Sequence, residues 1–177
     1  NLTQTGFSEL NIATGKSLSI TQDFEVPDQK QMKISGADGT LSLGGNITLS
    51  GILNISVADS TLEGGSLTLN GGTVQVEQDI NLKSNLLQQA DSSIVVATGK
   101  TLSYSGNEFN TGAQTLTLSG GGIFANTEFL ALNDPAGSLK LNGIAKVSKV
   151  FVSTEMSTGK LEIVQDSIIN TLSRSEE

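Results

Sequence analysis

Residues 67–76 read LTLNGGTVQV, and the fold prediction starts from the short pattern in this stretch. Two apolar residues flank one polar residue, a small residue follows, and a glycine ends the unit before a second alternating segment begins. Alternation with a period of two places apolar side chains on one side of a β-strand and polar side chains on the other. Glycine adopts the positive φ of a sharp turn at low cost. The stretch therefore predicts two short strands joined at a tight corner.

The same unit recurs along the chain, which predicts a repeat protein. Seven copies follow the order apolar, any, apolar, small, glycine: MKISG at 32–36, LSLGG at 41–45, ITLSG at 47–51, LTLNG at 67–71, LSYSG at 102–106, LTLSG at 116–120 and LKLNG at 139–143. Apolar anchors recur about every seven residues, and three such steps give a coil of about 21 residues. Antiparallel sandwiches usually place their turns farther apart, at about 8 to 12 residues.

We therefore predict an all-β fold, a right-handed parallel β-helix (β-solenoid) with three short strands per coil of about 21 residues and roughly eight coils. Because aromatic residues make up only 4% of the chain, we expect a narrow interior of Leu, Ile and Val without large rings. A 21-residue spacing stacks four pairs of apolar residues: Leu53 with Val74, Leu102 with Ile123, Phe109 with Leu130, and Ile123 with Ile144.

Residues 1–177 are predicted to form a single β-helix domain with two polar interruptions. Segments 22–31 (QDFEVPDQKQ) and 83–93 (KSNLLQQADSS) are longer and more polar than the corners, so we predict that both are loops outside the solenoid. The first contains Pro27, which cannot donate to a strand ladder. A tolerated insertion or a contact loop would each explain such a segment.

The C-terminal segment 164–177 has a different spacing. Val164, Ile168 and Leu172 lie four positions apart, as on one side of a short amphipathic helix. We predict a cap or tail here, because an open last coil invites pairing with another chain.

Two matching segments resemble the end of a phosphate-binding P-loop. Residues 13–20 read ATGKSLSI and residues 97–104 read ATGKTLSY, but Leu10 and Ile94 occupy the positions where that motif requires its first glycine. The residues that follow alternate as in a strand, so no helix N-terminus is available for a phosphate. We predict a turn followed by a strand at both places, and at a third TGK at 158–160.

Composition excludes most enzyme classes. The chain has no Cys, His or Trp, so thiolate nucleophiles, Ser-His-Asp triads and the usual zinc sites are impossible. Eighteen acidic and ten basic residues give a net charge of −8, which disfavours nucleic acid and anionic membranes as partners. No apolar run is long enough to predict membrane insertion of this segment.

Carboxylates are the remaining candidates for catalysis. Asp38, Asp59, Asp79 and Asp91 mostly lie beside predicted turns, where solvation explains them, and glycoside hydrolysis needs two carboxylates about 5 to 10 Å apart. A calcium ion at the turn 36–39 (GADG) has little support from spacing. We therefore expect no enzyme activity, no catalytic residue, no cofactor and no metal.

The runs ATGKTLSYSG, LTLNGGTVQV and LTLSGGG resemble the β-helical passenger regions of bacterial autotransporters and filamentous-haemagglutinin-like exoproteins, over about residues 10–164. The resemblance implies an extracellular rod at a bacterial surface, used for adhesion, spacing or assembly. We expect a non-catalytic structural or adhesive segment of a surface or secreted protein. Its expected partners are a host-surface or polysaccharide ligand, or further copies bound through the terminal coils.

Two alternatives remain open at this point. The chain would be a filament subunit if its ends pair by strand addition. It would be a polysaccharide-binding or polysaccharide-cleaving β-helix, similar to phage tailspikes or lyases, if polar groups converge on one face of the solenoid.

Overall fold

Short parallel strands of successive coils stack on one another and wind the chain into a β-solenoid. The computed structural model describes residues 6–37, 40–107, 109–153 and 160–174. These ranges contain strands and turns but no helix. The solenoid makes about 7 turns of about 22 residues each, close to the predicted coil length and number.

The strands are short and evenly distributed. Strands β1 to β12 are Phe7–Asn11, Ser17–Ile20, Phe24–Val26, Gln31–Gly36, Thr40–Leu43, Ile47–Leu49, Ile52–Val57, Ser60–Leu62, Ser66–Asn70, Thr73–Val76, Ile80–Leu82 and Asn85–Ala90. Strands β13 to β22 are Ser92–Val96, Thr101–Tyr104, Phe109–Asn110, Thr115–Ser119, Ile123–Asn126, Leu130–Leu132, Ser138–Asn142, Lys146–Val152, Lys160–Gln165 and Ile168–Arg174.

Three faces surround the interior. Face I is an eight-stranded sheet of β1, β4, β7, β10, β13, β16, β19 and β21. Face II contains β2, β5, β8, β11, β14, β17 and the first half of β20, whereas face III contains β3, β6, β9 and β12 and then β15, β18 and the second half of β20. Strand β20 thus joins faces II and III in the seventh coil, and β22 lies on β20 as the last rung.

The repeated sequence unit forms a strand and a corner, as predicted, in six of its seven copies; in MKISG, Gly36 is the last residue of β4 and pairs with Val57. LTLNG forms β9 on face III and its corner, and the following TVQV forms β10 on face I. Gly71 between them has a φ of +89°, which explains the requirement for glycine at this corner. The alternation of apolar and polar residues therefore sets both the strands and the side that faces the core.

Both described TGK segments are turns that lead into strands, as predicted. Lys16 N donates to Ala13 O over 2.9 Å, and Lys100 N donates to Ala97 O over the same distance. Gly15 and Gly99 have φ values of +68° and +74°. In the third copy, residues 158 and 159 lie outside the described ranges.

The predicted stacking pairs are correct in two cases and wrong in two. Leu53 pairs with Val74 and Phe109 with Leu130. Leu102 instead pairs with Phe124, and Ile123 pairs with Thr101 and Lys146. Coil length is not constant at 21, because corner bonds join residues between 20 and 24 positions apart. A one-residue slip turns a side chain to the opposite face of the sheet, and Ile123 accordingly points outward.

Large rings do occupy the interior, contrary to the sequence expectation. Tyr104, Phe109 and Phe124 are among the largest fully buried side chains, and Phe24 is also buried. The rings of Tyr104 and Phe124 lie in successive coils with centroids 6.1 Å apart. The chain has few aromatic residues, but the interior of the solenoid is wide enough to bury large rings.

Both predicted loops contain strands of the solenoid, so the prediction is wrong for four of the ten residues of 22–31 and for eight of the eleven residues of 83–93. Phe24 and Val26 are buried on either side of exposed Glu25, so the segment 22–31 contributes β3 to face III. Residues 22–23 and the turn in which Lys30 N donates to Pro27 O lie outside the strands. Segment 83–93 contributes β12 and the first residues of β13, with a register shift between Gln88 and Ala90.

The predicted C-terminal helix is also wrong. Residues Ile168–Arg174 form β22, which pairs in parallel with β20. Ile169 and Leu172 continue the columns of Val147 and Val150, three positions apart because the strand turns a corner of the solenoid. The segment is another rung, so it does not cover the last coil; residues 175–177 lie outside the described ranges.

Outward side chains form columns of small polar residues or pairs of opposite charge. On face II, Ser19, Ser42, Thr61, Asn81 and Ser103 follow one another from coil to coil. Side chains stacked about 5 Å apart tolerate such residues but disfavour identical charges. Three pairs of adjacent coils place opposite charges next to each other, in the ion pairs Lys33–Glu9, Lys83–Glu63 and Lys140–Glu162.

Replacing Leu116 by Asp should unfold much of the solenoid, because Leu116 is fully buried and stacks between Ser92 and Leu139. We expect a loss of about 3–5 kcal/mol in the free energy of unfolding, since a carboxylate would be buried without a partner. Thr117→Asp is the matched control: it faces outward beside Lys140 and should change stability by about 0.5 kcal/mol or less. Equal losses in urea denaturation would contradict the alternation.

The revised register makes a second prediction. Phe124→Ala should cost about 3–5 kcal/mol through the cavity it leaves in the core. Ile123→Ala removes an outward, partly buried side chain in the adjacent position and should cost clearly less. Thermal unfolding of both variants measures the difference, and a larger loss for Ile123→Ala would show that the strand is in the other register.

Candidate functional site

Of the candidate carboxylates, the structure brings Asp59 and Asp79 to one corner and places Asp91 at another. Asp38 lies outside the described ranges. Asp59 and Asp79 occupy the same corner in adjacent coils, where Asp59 N donates to Asp79 O over 3.0 Å. Asp91 lies at a different corner, between faces III and I. The carboxylates of Asp79 and Asp91 each accept a backbone hydrogen bond of 2.7 Å, from Thr101 N and Thr115 N.

These contacts belong to a recurring arrangement at the corners. The backbone leaves the strand ladder there, so an N–H group of one coil needs an acceptor outside the sheet. A carboxylate or amide oxygen of the preceding coil accepts that hydrogen bond. Besides the two aspartates above, the pairs are Asp23 with Asn46 N, Asn46 with Ser66 N, Asn85 with Asn107 N, and Asn126 with Ser148 N and Lys149 N.

Asp23 shows the electrostatic consequence of this arrangement. Its carboxylate accepts hydrogen bonds from Asn46 N at 2.8 Å and from Asn46 Nδ2 at 3.1 and 3.2 Å. The backbone bond first, and the side-chain bond second, lower the pKa of Asp23 below its ordinary value of 3.8 against a smaller effect of desolvation. The Asp23 carboxylate therefore holds its coil to the next one in its ionised form.

Asn126 is the buried one among the side chains that accept backbone hydrogen bonds at the corners. Its side chain is only 3% exposed, and its Nδ2 donates to Glu128 O and Lys149 O at 2.7 and 2.6 Å. Its Oδ1 accepts from Ser148 N and Lys149 N. All four contacts lie where β20 begins to join faces II and III, so this amide satisfies the backbone groups of the bend.

The part of the chain that the structure describes contains no group of three or more His, Cys, Asp or Glu side chains that could hold a metal ion. Two residues of the turn 36–39, Asp38 and Gly39, lie outside the described ranges. The expectation that the protein uses no metal or cofactor stays a prediction.

A shallow groove of about 340 Å³ lies at the corner between faces III and I. The four-residue turn that begins at Pro27 projects beside two short corners that contain Gly51 and Gly72. The polar residues along the groove are Asp28, Gln29, Lys30, Gln31, Ser50 and Thr73. Sequence reasoning missed this groove, although the spacing of Gly51 and Gly72 at one coil length could have indicated adjacent tight corners.

One pair of aromatic rings lies near the surface of coils six and seven. Phe129 and Phe151 are partly buried, with centroids 6.1 Å apart and planes inclined by 65°. Lys149 Nζ lies 5.8 Å from the centre of the Phe129 ring. Rings inclined in this way pack against each other and do not offer the flat platform on which a sugar ring usually stacks.

The last coil exposes the most apolar surface. Four of the six large hydrophobic side chains that are exposed in the described ranges belong to β21 and β22: Ile163, Val164, Ile168 and Leu172, at 56, 53, 61 and 52%. The other two are Phe7 in the first coil, at 64%, and Leu87 on face III, at 49%. Sequence analysis assigned Val164, Ile168 and Leu172 to a cap and so missed their exposure.

Comparisons with family models, curated proteins and solved structures give no match to this chain. In the described ranges, no helix has the length and apolar character needed to span a membrane. The β-solenoid is thus established by its own strand pairing, and the likeness to exported bacterial β-helices stays a prediction.

The lowered pKa of Asp23 predicts a pH dependence of stability. Because the folded pKa lies below the unfolded one, the carboxylate contributes stability above about pH 4, and this contribution is lost as the pH falls through the folded value. Asp23→Asn should therefore be less stable than the wild type at pH 7, and the difference should shrink towards pH 3. Urea unfolding across this range tests it, and a difference independent of pH would contradict it.

Proposed function

We propose that this chain is a non-catalytic structural and adhesive β-solenoid segment of a bacterial surface or secreted protein. The observation that carries the proposal is the use of its polar corner groups: the carboxylates and amides that could form a site bind the backbone of the next coil. About seven coils at about 4.8 Å each give a rod of roughly 34 Å, held by a continuous apolar core.

The chemistry of the chain supports a role without catalysis. There is no imidazole or thiolate in the sequence. Of the carboxylates considered for hydrolysis, Asp79 and Asp91 hold backbone N–H groups of the following coil at 2.7 Å. A general base that moved away from such a bond would leave a backbone donor without its acceptor.

Three features support the assignment to the cell exterior. The Gly-rich strand units resemble exported bacterial β-helices, and a chain without cysteine cannot form a wrong disulfide during export. Stacked coils also provide a long surface with small polar side chains, suited to spacing a binding site from the cell.

Localisation is tested with an antibody against the 177-residue chain on cells of the source bacterium. We expect labelling of intact cells or recovery of the chain in the medium, as in an exported protein. Labelling that requires permeabilised cells would overturn the assignment to the exterior.

Absence of catalysis is tested with a panel of plant, bacterial and host polysaccharides. We expect no new reducing ends and no unsaturated products at high protein concentration. Cleavage that disappears in Asp59→Asn or Asp79→Asn would overturn the proposal and would place the active carboxylates at the corner that these residues share.

Saccharide binding is the second candidate, and the groove at the corner between faces III and I favours it. Carboxylate, ammonium, amide and hydroxyl groups line the groove, and these are the groups that bind sugar hydroxyls. If the groove binds saccharides, Asp28→Ala should weaken retention of the protein on an immobilised polysaccharide, since Asp28 lies on the projecting turn. The matched control is Asp134→Ala, because each aspartate accepts a backbone N–H of its own turn at 2.9 Å.

A further inference from the structure

We infer that the groove at the corner between faces III and I binds an uncharged saccharide chain, which lies along the axis of the solenoid. The inference rests on the second candidate function, saccharide binding by this groove, and names the chemical class of the ligand. Corners of three successive coils form the groove, with residues 28–31, 50–52 and 71–73, and a described coil follows each of them.

The groove lies in a recess that arises because this corner changes its length along the solenoid. Four residues, 27–30, join β3 to β4, whereas two residues join β6 to β7 and two join β9 to β10. Asp91 alone joins β12 to β13, and residues 111–114 again make a four-residue connection in the coil that follows. The short corners are therefore recessed between two longer turns, which lie roughly 19 Å apart at about 4.8 Å per coil.

Glycine keeps the floor of the groove free of side chains. A Cβ atom at Gly51 would overlap the carbonyl oxygens of Pro27 and Lys30, and one at Gly72 would come within 2.5 Å of Gly51 O. Close stacking of the coils at this corner thus requires glycine at both positions. The same two glycines leave the space above the corner open to a ligand.

The backbone of this floor is already hydrogen-bonded. Gly51 N donates to Val26 O over 2.9 Å, Ile52 N to Lys30 O over 2.8 Å, and Thr73 N to Gly51 O over 2.8 Å. An added peptide strand needs unpaired backbone groups at the edge of a sheet, and these N–H groups belong to the solenoid itself. Side chains must therefore hold the ligand, which favours a saccharide over an extended peptide.

Side chains along the groove supply the contacts that a sugar ring needs. Ile52 faces outward in a column whose members in the adjacent coils, Gln31 and Thr73, are polar. This partly buried isoleucine offers an apolar surface to the C–H face of a sugar ring. Asp28 and Gln29, on the projecting turn, supply carboxylate and amide groups that bind hydroxyls.

The backbone conformation at Gln29 indicates a use for its side chain. Gln29 has a φ of +59°, and the only other non-glycine residue with positive φ in the described ranges is Asp59. Glycine and asparagine adopt this region at lower cost than glutamine. Asp28 Oδ1 accepts a hydrogen bond of 2.9 Å from Gln29 N within this turn. The groove thus has an amide side chain where glycine would suit the backbone better.

The charges around the groove favour an uncharged ligand. Asp28 and Lys30 are the charged side chains among its described lining residues, and they lie on one turn with opposite signs. Glu25 in the strand before this turn and Lys33 in the strand after it also have opposite signs. Polyanions bind where Lys and Arg cluster, and this chain has a net charge of −8. The groove therefore suits hydroxyl groups better than carboxylates or sulfates.

Binding assays with neutral and charged oligosaccharides test the ligand class. The neutral probes are immobilised xylo-, manno-, gluco- and chito-oligosaccharides; oligogalacturonate, oligomannuronate and heparin are the anionic probes, and chitosan oligomers the cationic one. We expect binding to at least one neutral probe, with an affinity that does not change with NaCl concentration. Binding to charged probes alone, or binding that weakens with salt, would overturn the inference and leave saccharide binding by the groove in place.

Two pairs of variants test the position of the site. Thr73→Phe fills the groove and should abolish binding, whereas Thr117→Phe, in the same outward column of face I but outside the groove, should not. Ile52→Ser should weaken binding about 10-fold through the lost apolar contact, and its control is Ile123→Ser, also outward and partly buried. Circular dichroism checks the fold of all four. Binding that survives both Thr73→Phe and Ile52→Ser would overturn the assignment to this groove.

Gln29→Gly separates binding from stability. Relief of the positive φ offsets the greater freedom of the unfolded chain, so the temperature of unfolding should change little. Loss of the amide should weaken binding about 2- to 10-fold, and unchanged binding would overturn the assignment of Gln29 to the site.

Two further outcomes would overturn the inference. Retention of a random peptide library that Thr73→Phe abolishes would assign the groove to a protein partner. Absence of binding to every saccharide probe would remove the saccharide ligand altogether. Neither outcome changes the cell-surface labelling or the absence of polysaccharide cleavage, so failure of the inference is distinguishable from failure of the structural role proposed for the solenoid.

Discussion

Parallel pairing of each coil with the next is the constraint on which the rest of this structure depends. Each strand finds its partners about one coil before and after it in sequence, so the core is a set of columns and not a single cluster. Inward columns are apolar, while outward columns tolerate small polar residues or opposite charges. The corners must then satisfy the backbone groups that the ladder leaves behind, and this requirement accounts for most of the aspartates and asparagines in bends.

Much of the fold could be predicted from the sequence because the signal is local and repeated. The alternation in LTLNG or LKLNG fixes which residues face inward without any knowledge of distant partners, and the glycines mark the corners. Register was harder to predict. It depends on the length of every corner between two strands, and a four-residue turn at Pro27 or a two-glycine corner at Gly71 shifts all later positions. For this reason Phe124, and not Ile123, stacks on Leu102 and faces the core.

The errors at the C-terminal side have a different cause. Val164, Ile168 and Leu172 lie four positions apart as in a helix, but Val164 belongs to β21 and the other two to β22, a strand that turns a corner and faces inward with Ile169 and Leu172. No local feature separates the two cases, because the difference lies in what the segment stacks on. The groove and the exposed last coil could not be predicted from the sequence either, since both depend on how neighbouring coils align.

The hydrogen bonds at the corners have a direction along the chain. In each Asp or Asn contact to a backbone N–H of another coil, the acceptor belongs to the earlier coil and the donor to the later one, from Asp23 with Asn46 to Asn126 with Ser148. The coils that contain Asp23, Asn46, Asp79 and Asn126 thus carry acceptors for the backbone of the coil that follows them. A polypeptide that emerges from a ribosome or a secretion pore with its amino end first would find these acceptors already in place when the next coil forms, which favours the addition of coils in order from that end.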